Sequence, residues 1–259
     1  MTMTVPDLSD VIAAEPRRLA FATVSGAHLY GFPSQDSDVD LRGAHVLPAE
    51  EVVGLVHGPD TVDRTWDRAG TEIDLVTHDI AKFATLLLRR NGYVLEQLLS
   101  PLVVHTSEEH RAMIDIAPRC VTSSHAHHYL GFAGTQWRLF VGNGELKPLL
   151  YTFRALLTGI HLMRTGETVA HLPTLAENLG APAYLAGLID AKRTGEHRTL
   201  GSVPDAPVHS GLEADVERLR AELEQARDGS HLPVAPPTEP TERSPKADLH
   251  DLIVRMRLA

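Results

Sequence analysis

The sequence predicts an α+β protein, with a small mixed sheet and flanking helices in its N-terminal part and a helical C-terminal part. Three observations carry this. Short apolar runs at Leu19–Val24, Leu41–Val46 and Ile73–Thr77 are bounded by turn residues and read as strands. Between residues 79 and 90 the apolar positions (Ile80, Phe83, Ala84, Leu87, Leu88) recur at helical spacing instead. From about Ser107 the helical spacing takes over.

The first strand, Leu19–Val24, ends at Ser25-Gly26, and Ala27–Phe32 leads away as a short helix or turn. The second strand runs through Leu41–Val46, with Gly43 as a candidate bulge. After the third strand and its helix, Asn91-Gly92 is a stop signal. Val94–Leu99 adds a turn or two of helix, and Leu102–His105 offers a further strand. In the helical part, Tyr129, Phe132, Ala133, Trp137 and Phe140 form one face, broken at Gly142-Asn143-Gly144. Lys147–Arg164 is a second long helix, ended by Thr165-Gly166. Leu175–Leu179 and Pro182–Lys192 are shorter ones. Leu212, Val216, Leu219 and Leu223 make a narrow apolar stripe on Leu212–Ala226. Residues 230–245, rich in Pro, Thr and Glu, read as an extended segment, followed by a short helix over Ala247–Arg257. The expected domains are therefore 1–106, 107–229, and a linker with a final helix over 230–259.

Composition narrows the function. The 259 residues carry 24 basic and 34 acidic side chains, for a net charge of −10. That argues against a broad basic surface for gripping duplex nucleic acid, though not against a local basic groove. Cys120 is the single cysteine, so no intramolecular disulfide can form, and it reads as a small buried hydrophobe. The N-terminus lacks a signal-like apolar core, and no apolar run reaches the ~18 residues that a membrane span needs. A cytoplasmic protein with no membrane partner is expected.

The chemistry concentrates in residues 25–43, Ser-Gly-Ala-His-Leu-Tyr-Gly-Phe-Pro-Ser-Gln-Asp-Ser-Asp-Val-Asp-Leu-Arg-Gly. A glycine turn able to offer backbone N–H groups to phosphate precedes alternating carboxylates. With Val39 and Leu41 inward, strand parity puts Asp36, Asp38, Asp40 and Arg42 on the opposite face. Acids so placed repel one another unless cations sit among them. The plainer reading is a solvated edge strand. Aspartate's poor strand propensity and the apolar opposite face favour metal binding.

This pattern resembles the nucleotidyltransferases of the DNA polymerase β superfamily, in which a glycine-serine pair opens a short helix and a strand carries Asp-x-Asp. Gly26 fits the glycine, Asp38 and Asp40 fit the pair, and Asp74, in Glu72-Ile73-Asp74-Leu75-Val76-Thr77, fits the third acid. Ala27 stands where the family has serine, with Ser25 before the glycine instead, so the backbone donors survive and a hydroxyl is lost. Gly31, Ser37-Asp38 and Asp40-Leu41-Arg42-Gly43 are similar to a bacterial and phage branch with members encoded beside RNA ligases. So are Lys82–Asn91, Leu95–Leu99, Lys147–Arg154 and Leu232-Pro233, so the likeness covers most of the chain.

The resemblance implies an N-terminal polymerase-β-like domain and transfer of NMP from an NTP to an acceptor hydroxyl, with release of pyrophosphate. Asp38, Asp40 and Asp74 would hold Mg²⁺ or Mn²⁺, whose charge stabilises the attacking and leaving oxygens. Gly26 and Ala27 would meet the phosphates through backbone N–H groups. Arg42 would neutralise phosphate or pair with Asp40. Lys147, Tyr151 and Arg154, at i, i+4 and i+7, share a helix face that could hold the triphosphate tail and stack a base; the plainer alternative is a solvated basic stripe. The acceptor is an RNA end, which would imply RNA repair, a small molecule or a protein hydroxyl. Competing readings are a noncatalytic nucleotide-binding or regulatory module, and a metal-dependent phosphoesterase.

Overall fold

The structure is a computed structural model that describes residues 7–238 and 244–258. It separates into two compact units, and neither is continuous in sequence. Unit 1 comprises Met1–Leu29, Asp38–Thr122 and Ala235–Ala259; unit 2 comprises Tyr30–Ser37 and Ser123–Val234. The α+β architecture follows the expectation, with the sheet in unit 1 and helices in unit 2. The units interleave in the chain where the sequence reading drew a boundary at residue 106/107.

In unit 1 the elements run α1 (Ser9–Ala13), β1 (Leu19–Val24), α2 (Gly26–Tyr30, which continues into unit 2), β2 (Val39–His45), α3 (Glu50–Val53), β3 (Thr61–Arg68) and β4 (Thr71–Asp79). They continue with α4 (Ile80–Leu87), α5 (Gly92–Leu98), β5 (Val103–His105) and α6 (Glu108–Ile116). The sheet order is β3-β4-β2-β1-β5. β2 and β4 are parallel and the other neighbours antiparallel, so the sheet is mixed. β1 is buried at all six residues, which explains why all but Thr23 are apolar.

The bulge expected at Gly43 falls on the partner strand. Leu19 pairs with His45 and Phe21 with Ala44, leaving Ala20 as the extra residue on β1. Gly43 instead permits close approach, since a Cβ there would lie 2.2 Å from the Phe21 carbonyl oxygen. The sequence reading missed β3. It is an edge strand rich in charge (Asp63, Arg64, Asp67, Arg68), without an apolar alternation to mark it. Ala69 and Gly70, both at positive φ, close its two-residue hairpin to β4.

Asp79, at the end of β4, is buried and organises the region around it. Its carboxylate caps α4 through the Ala81 N–H (3.0 Å), accepts the Leu47 N–H (3.2 Å), and pairs with Arg257 Nη2 at 2.6 Å. Arg257 belongs to α12 (Pro245–Leu258), which packs against α6 and α4. The end of the chain therefore completes the unit that its beginning starts.

In unit 2 the helices are α7 (Ala126–Asn143), α8 (Leu146–Thr165), α9 (Leu172–Leu179), α10 (Tyr184–Arg193) and α11 (His209–Asp228). α8 is buried along nearly its whole length, and the other four pack around it. Such an all-round apolar helix forms the centre of a bundle, and α11 faces it with the narrow stripe of Leu212, Val216, Leu219 and Leu223. Each fully buried aliphatic side chain of that stripe contributes ~2 kcal/mol. Of the extended segment over 230–245, residues 239–243 lie outside the described residues. Its first part lies along the start of α7's segment, with the Ser123 N–H bonded to the Pro233 carbonyl at 2.9 Å.

Candidate functional site

The parallel register of β2 and β4 places Asp40 directly beside Asp74. Val39, Leu41, Ile73 and Leu75 alternate with them and are buried on the opposite face. Two carboxylates on adjacent strands need a counter-charge, and Arg42 supplies it. Arg42 Nη2 donates to Asp40 Oδ1 at 2.5 Å and to Asp74 Oδ2 at 2.7 Å. Its Nη1 meets the Asp74 carbonyl at 2.6 Å, and its Nε donates to the Tyr93 hydroxyl at 3.0 Å. The residue is only 7% exposed. Burial alone would weaken its charge, but Tyr93 and Asp40 outweigh that and raise its pKa above the ordinary value.

Asp38 stands one residue before β2. Asp36, expected on the same acid face, lies off the strand. Pro33 and a turn intervene, in which the Ser37 N–H bonds to the Ser34 carbonyl (3.2 Å) and the Ser34 N–H to Ser37 Oγ (2.9 Å). The site therefore begins at Asp38. Among the described residues, no three His, Cys, Asp or Glu side chains are grouped so as to hold a metal ion.

The glycine turn is built against Asp40. Gly26 has φ +59°, and a Cβ there would fall 1.7 Å from Asp40 Oδ2. Only glycine allows both this backbone and this contact. The Ser25 N–H donates to the Asp40 carbonyl at 2.8 Å, pinning the turn to β2. Ser25 Oγ and His28 Nδ1 are buried with no hydrogen-bond partner among the described residues. Burial lowers the His28 pKa, with Asp38 opposing it. Ala27, where the resembled family has serine, is buried and packs as an apolar residue.

Lys147, Tyr151 and Arg154 share a face of α8 but have different surroundings. Lys147 Nζ lies 2.6 Å from Glu196 Oε1. Tyr151 stands edge-on to Tyr30 and Phe32, with centroids 5.3 and 5.7 Å apart. Arg154 is 3% exposed, its guanidinium 4.0 Å from the Tyr30 ring centroid and 5.4 Å from that of Phe132. That is a cation–π setting inside an aromatic cluster. Sequence reasoning passed over Tyr93, Lys192 and Glu196, because single residues of common type outside any motif give no signal.

Residues 3–244 match the family RlaP, described as RNA repair pathway DNA polymerase beta family. The uncharacterized protein MJ0002 of Methanocaldococcus jannaschii is 33% identical over 149 residues, covering 57% of this chain and 61% of that protein's length. The uncharacterized protein YcgL of Bacillus subtilis is 24% identical over 213 residues, covering 78% of this chain and 80% of its own. Among solved structures, a nucleotidyltransferase-like protein from Exiguobacterium sibiricum aligns at 12% identity with a TM-score of 0.27, over 85% of this chain and 72% of that one.

Proposed function

Because this chain belongs to the RNA repair pathway DNA polymerase β family, we propose that it is a divalent-metal-dependent nucleotidyltransferase that moves NMP from an NTP to the hydroxyl of an RNA end. The observation that carries the proposal is the pairing of Asp40 with Asp74 across parallel strands, with Asp40 seated on a left-handed glycine turn. A solvated edge strand needs neither the fitted glycine nor a buried arginine between its acids.

The donors suit Mg²⁺ or Mn²⁺ in kind, being hard carboxylate oxygens. Asp40 and Asp74 each give one oxygen to Arg42; on the family's pattern Asp38, Asp40 and Asp74 would hold the ion. When bound, the metal supplies positive charge to the attacking and leaving oxygens of an in-line displacement. Arg42 keeps the two acids at close quarters and fixes their rotamers. Gly26 and Ala27 present backbone N–H groups to the phosphates, and Ser25 Oγ adds a buried hydroxyl at the same turn. Asp74 would take the proton of the acceptor hydroxyl. The net charge of −10 suits an acceptor gripped at its end instead of along a duplex.

A noncatalytic nucleotide-binding module is favoured by one observation: Arg42 already spans both acids. One assay separates the readings. Pyrophosphate release is measured with each NTP and Mg²⁺ or Mn²⁺ against RNA ends, protein and small-molecule acceptors, with Asp38→Ala as control. Release that needs an RNA end and is lost in Asp38→Ala supports the proposal. Binding of nucleotide without release from any acceptor would select the binding module.

A further inference from the structure

Unit 2 contains a polar cluster that the transfer chemistry leaves unexplained. Four side chains converge on the carboxylate of Glu196, which lies just beyond α10. Lys192 Nζ donates to Oε2 at 2.5 Å, Ser34 Oγ lies 3.1 Å and Ser37 Oγ 3.2 Å from the same oxygen, and Lys147 Nζ lies 2.6 Å from Oε1. The Glu196 N–H in turn donates to the exposed Asp36 Oδ2 at 3.4 Å. Lys192 also donates to Ser34 Oγ at 3.0 Å and is wholly buried. Burial alone would raise the Glu196 pKa, but the hydrogen bonds from Lys147 and Lys192 bring it down to about 2.

A buried ion pair is often no more stabilising than an apolar replacement of the same volume, so three charges and two hydroxyls gathered at one point suggest another use. Lys147 and Lys192 face the Glu196 carboxylate directly, while the second acid, Asp36, is exposed and meets the Glu196 N–H instead of either ammonium. A carboxylate offers two oxygens to four side-chain donors, whereas a phosphoryl group offers three and carries more charge. Lys147 also stands in the first turn of α8, whose N-terminus has no side-chain cap and so adds its own positive field.

Glu196 is free to give way. The segment after it is fastened by backbone bonds from the Leu146 N–H to the Arg198 carbonyl and from the Leu200 N–H to the Gly144 carbonyl, both 2.8 Å. The Glu196 side chain can rotate out while those bonds stay intact.

We infer that Lys147, Lys192, Ser34 and Ser37 form a phosphoryl-binding site that Glu196 fills as a tethered stand-in, and that a phosphate group, free or at the tail of a nucleotide, takes its place. The exchange itself stands on unit 2 alone; its service to a nucleotide rests on the transferase reading, since Ser37 directly precedes Asp38. The glutamate then acts as an internal competitor that sets the affinity for phosphate.

The test uses the full chain in EDTA, with binding calorimetry and thermal unfolding in phosphate, pyrophosphate or ATP. Glu196→Gln is expected to bind pyrophosphate at least about tenfold more tightly than the parent, or ~1.4 kcal/mol. Its lowered Tm is expected to recover as pyrophosphate is added, and Lys192→Met in the same chain to abolish both effects. Glu196→Asp, one methylene shorter, should lie between parent and Glu196→Gln, and it carries the test if Glu196→Gln does not fold. Rescue by phosphate and pyrophosphate assigns free phosphoryl anions, and rescue by ATP alone assigns a nucleotide tail. Unchanged affinity in the folded variants, or affinity that survives Lys192→Met, overturns the inference. Anion exchange together with a silent transfer assay would sink the transferase and leave this site standing.

Discussion

Replacing Gly26 by alanine tests the site with a single methyl group. At φ +59° an alanine pays the left-handed penalty of ~1–2 kcal/mol, partly offset by ~0.4–1 kcal/mol from a less flexible unfolded chain. The larger effect is steric. The new Cβ would lie 1.7 Å from Asp40 Oδ2 and 2.6 Å from Asp40 Cγ, so the carboxylate must move by well over an ångström. That movement breaks the 2.5 Å bond to Arg42, and a hydrogen bond to a charged group is worth ~1.5–3 kcal/mol. The sum is a loss of about 2–4 kcal/mol, most of which comes from Asp40. Gly180→Ala supplies the control: its φ is +61° and a Cβ there meets nothing within 4 Å, so it pays for the backbone only. Urea unfolding of both variants isolates the difference. Equal losses in the two, or full pyrophosphate release by Gly26→Ala, would refute the claim that this glycine exists to seat Asp40.

Arg42→Met should cost about 3 kcal/mol or more, because it leaves two carboxylates facing each other without their buried counter-charge. Mg²⁺ should then raise the Tm of Arg42→Met more than that of the parent, and an equal response would argue against a shared cation site. Glu196 titrates at about 2 folded against 4.5 free. A depressed carboxyl pKa contributes stability that is complete above pH 4.5 and lost as the pH falls toward 2, here about 3 kcal/mol. Denaturant titrations between those limits should show a shallower acid slope in Glu196→Gln than in the parent. Cys120 is buried, which pushes its thiol up to about 11 against the opposing pull of Arg119. An aromatic disulfide reagent at pH 8 should therefore leave it unmodified until the chain unfolds, and prompt labelling of the native protein would contradict its burial.

What could be read in advance depended on whether the signal was local. β1 was legible because five of its six residues are apolar and all six are buried, and α8 because apolar residues recur along it up to the stop at Gly166. β3 was not, since an edge strand keeps charge on its surface and is held by backbone pairing to β4. Asp38, Asp40 and Asp74 could be named from their pattern. That Asp40 meets Asp74 depends on a strand register set by side chains far apart in the chain. Parity misplaced Asp36 because it assumed a strand where Ser34 and Ser37 close a turn. The Glu196 cluster brings together three segments, each unremarkable alone, and no periodicity could mark it.

The pairing of Asp79 with Arg257 also bears on how the protein is made. Every strand of the sheet has left the ribosome once His105 has emerged, yet the guanidinium that neutralises the Asp79 carboxylate is among the later residues to be synthesised. Through that interval the faces of α4 and α6 that receive α12 stay uncovered, while the long run of unit 2 helices is translated in one stretch. Unit 2 is thus fully translated before the last segment of unit 1. A nascent chain halted before α12 would expose apolar surface beside an unpaired buried acid, a state that chaperones and proteases recognise.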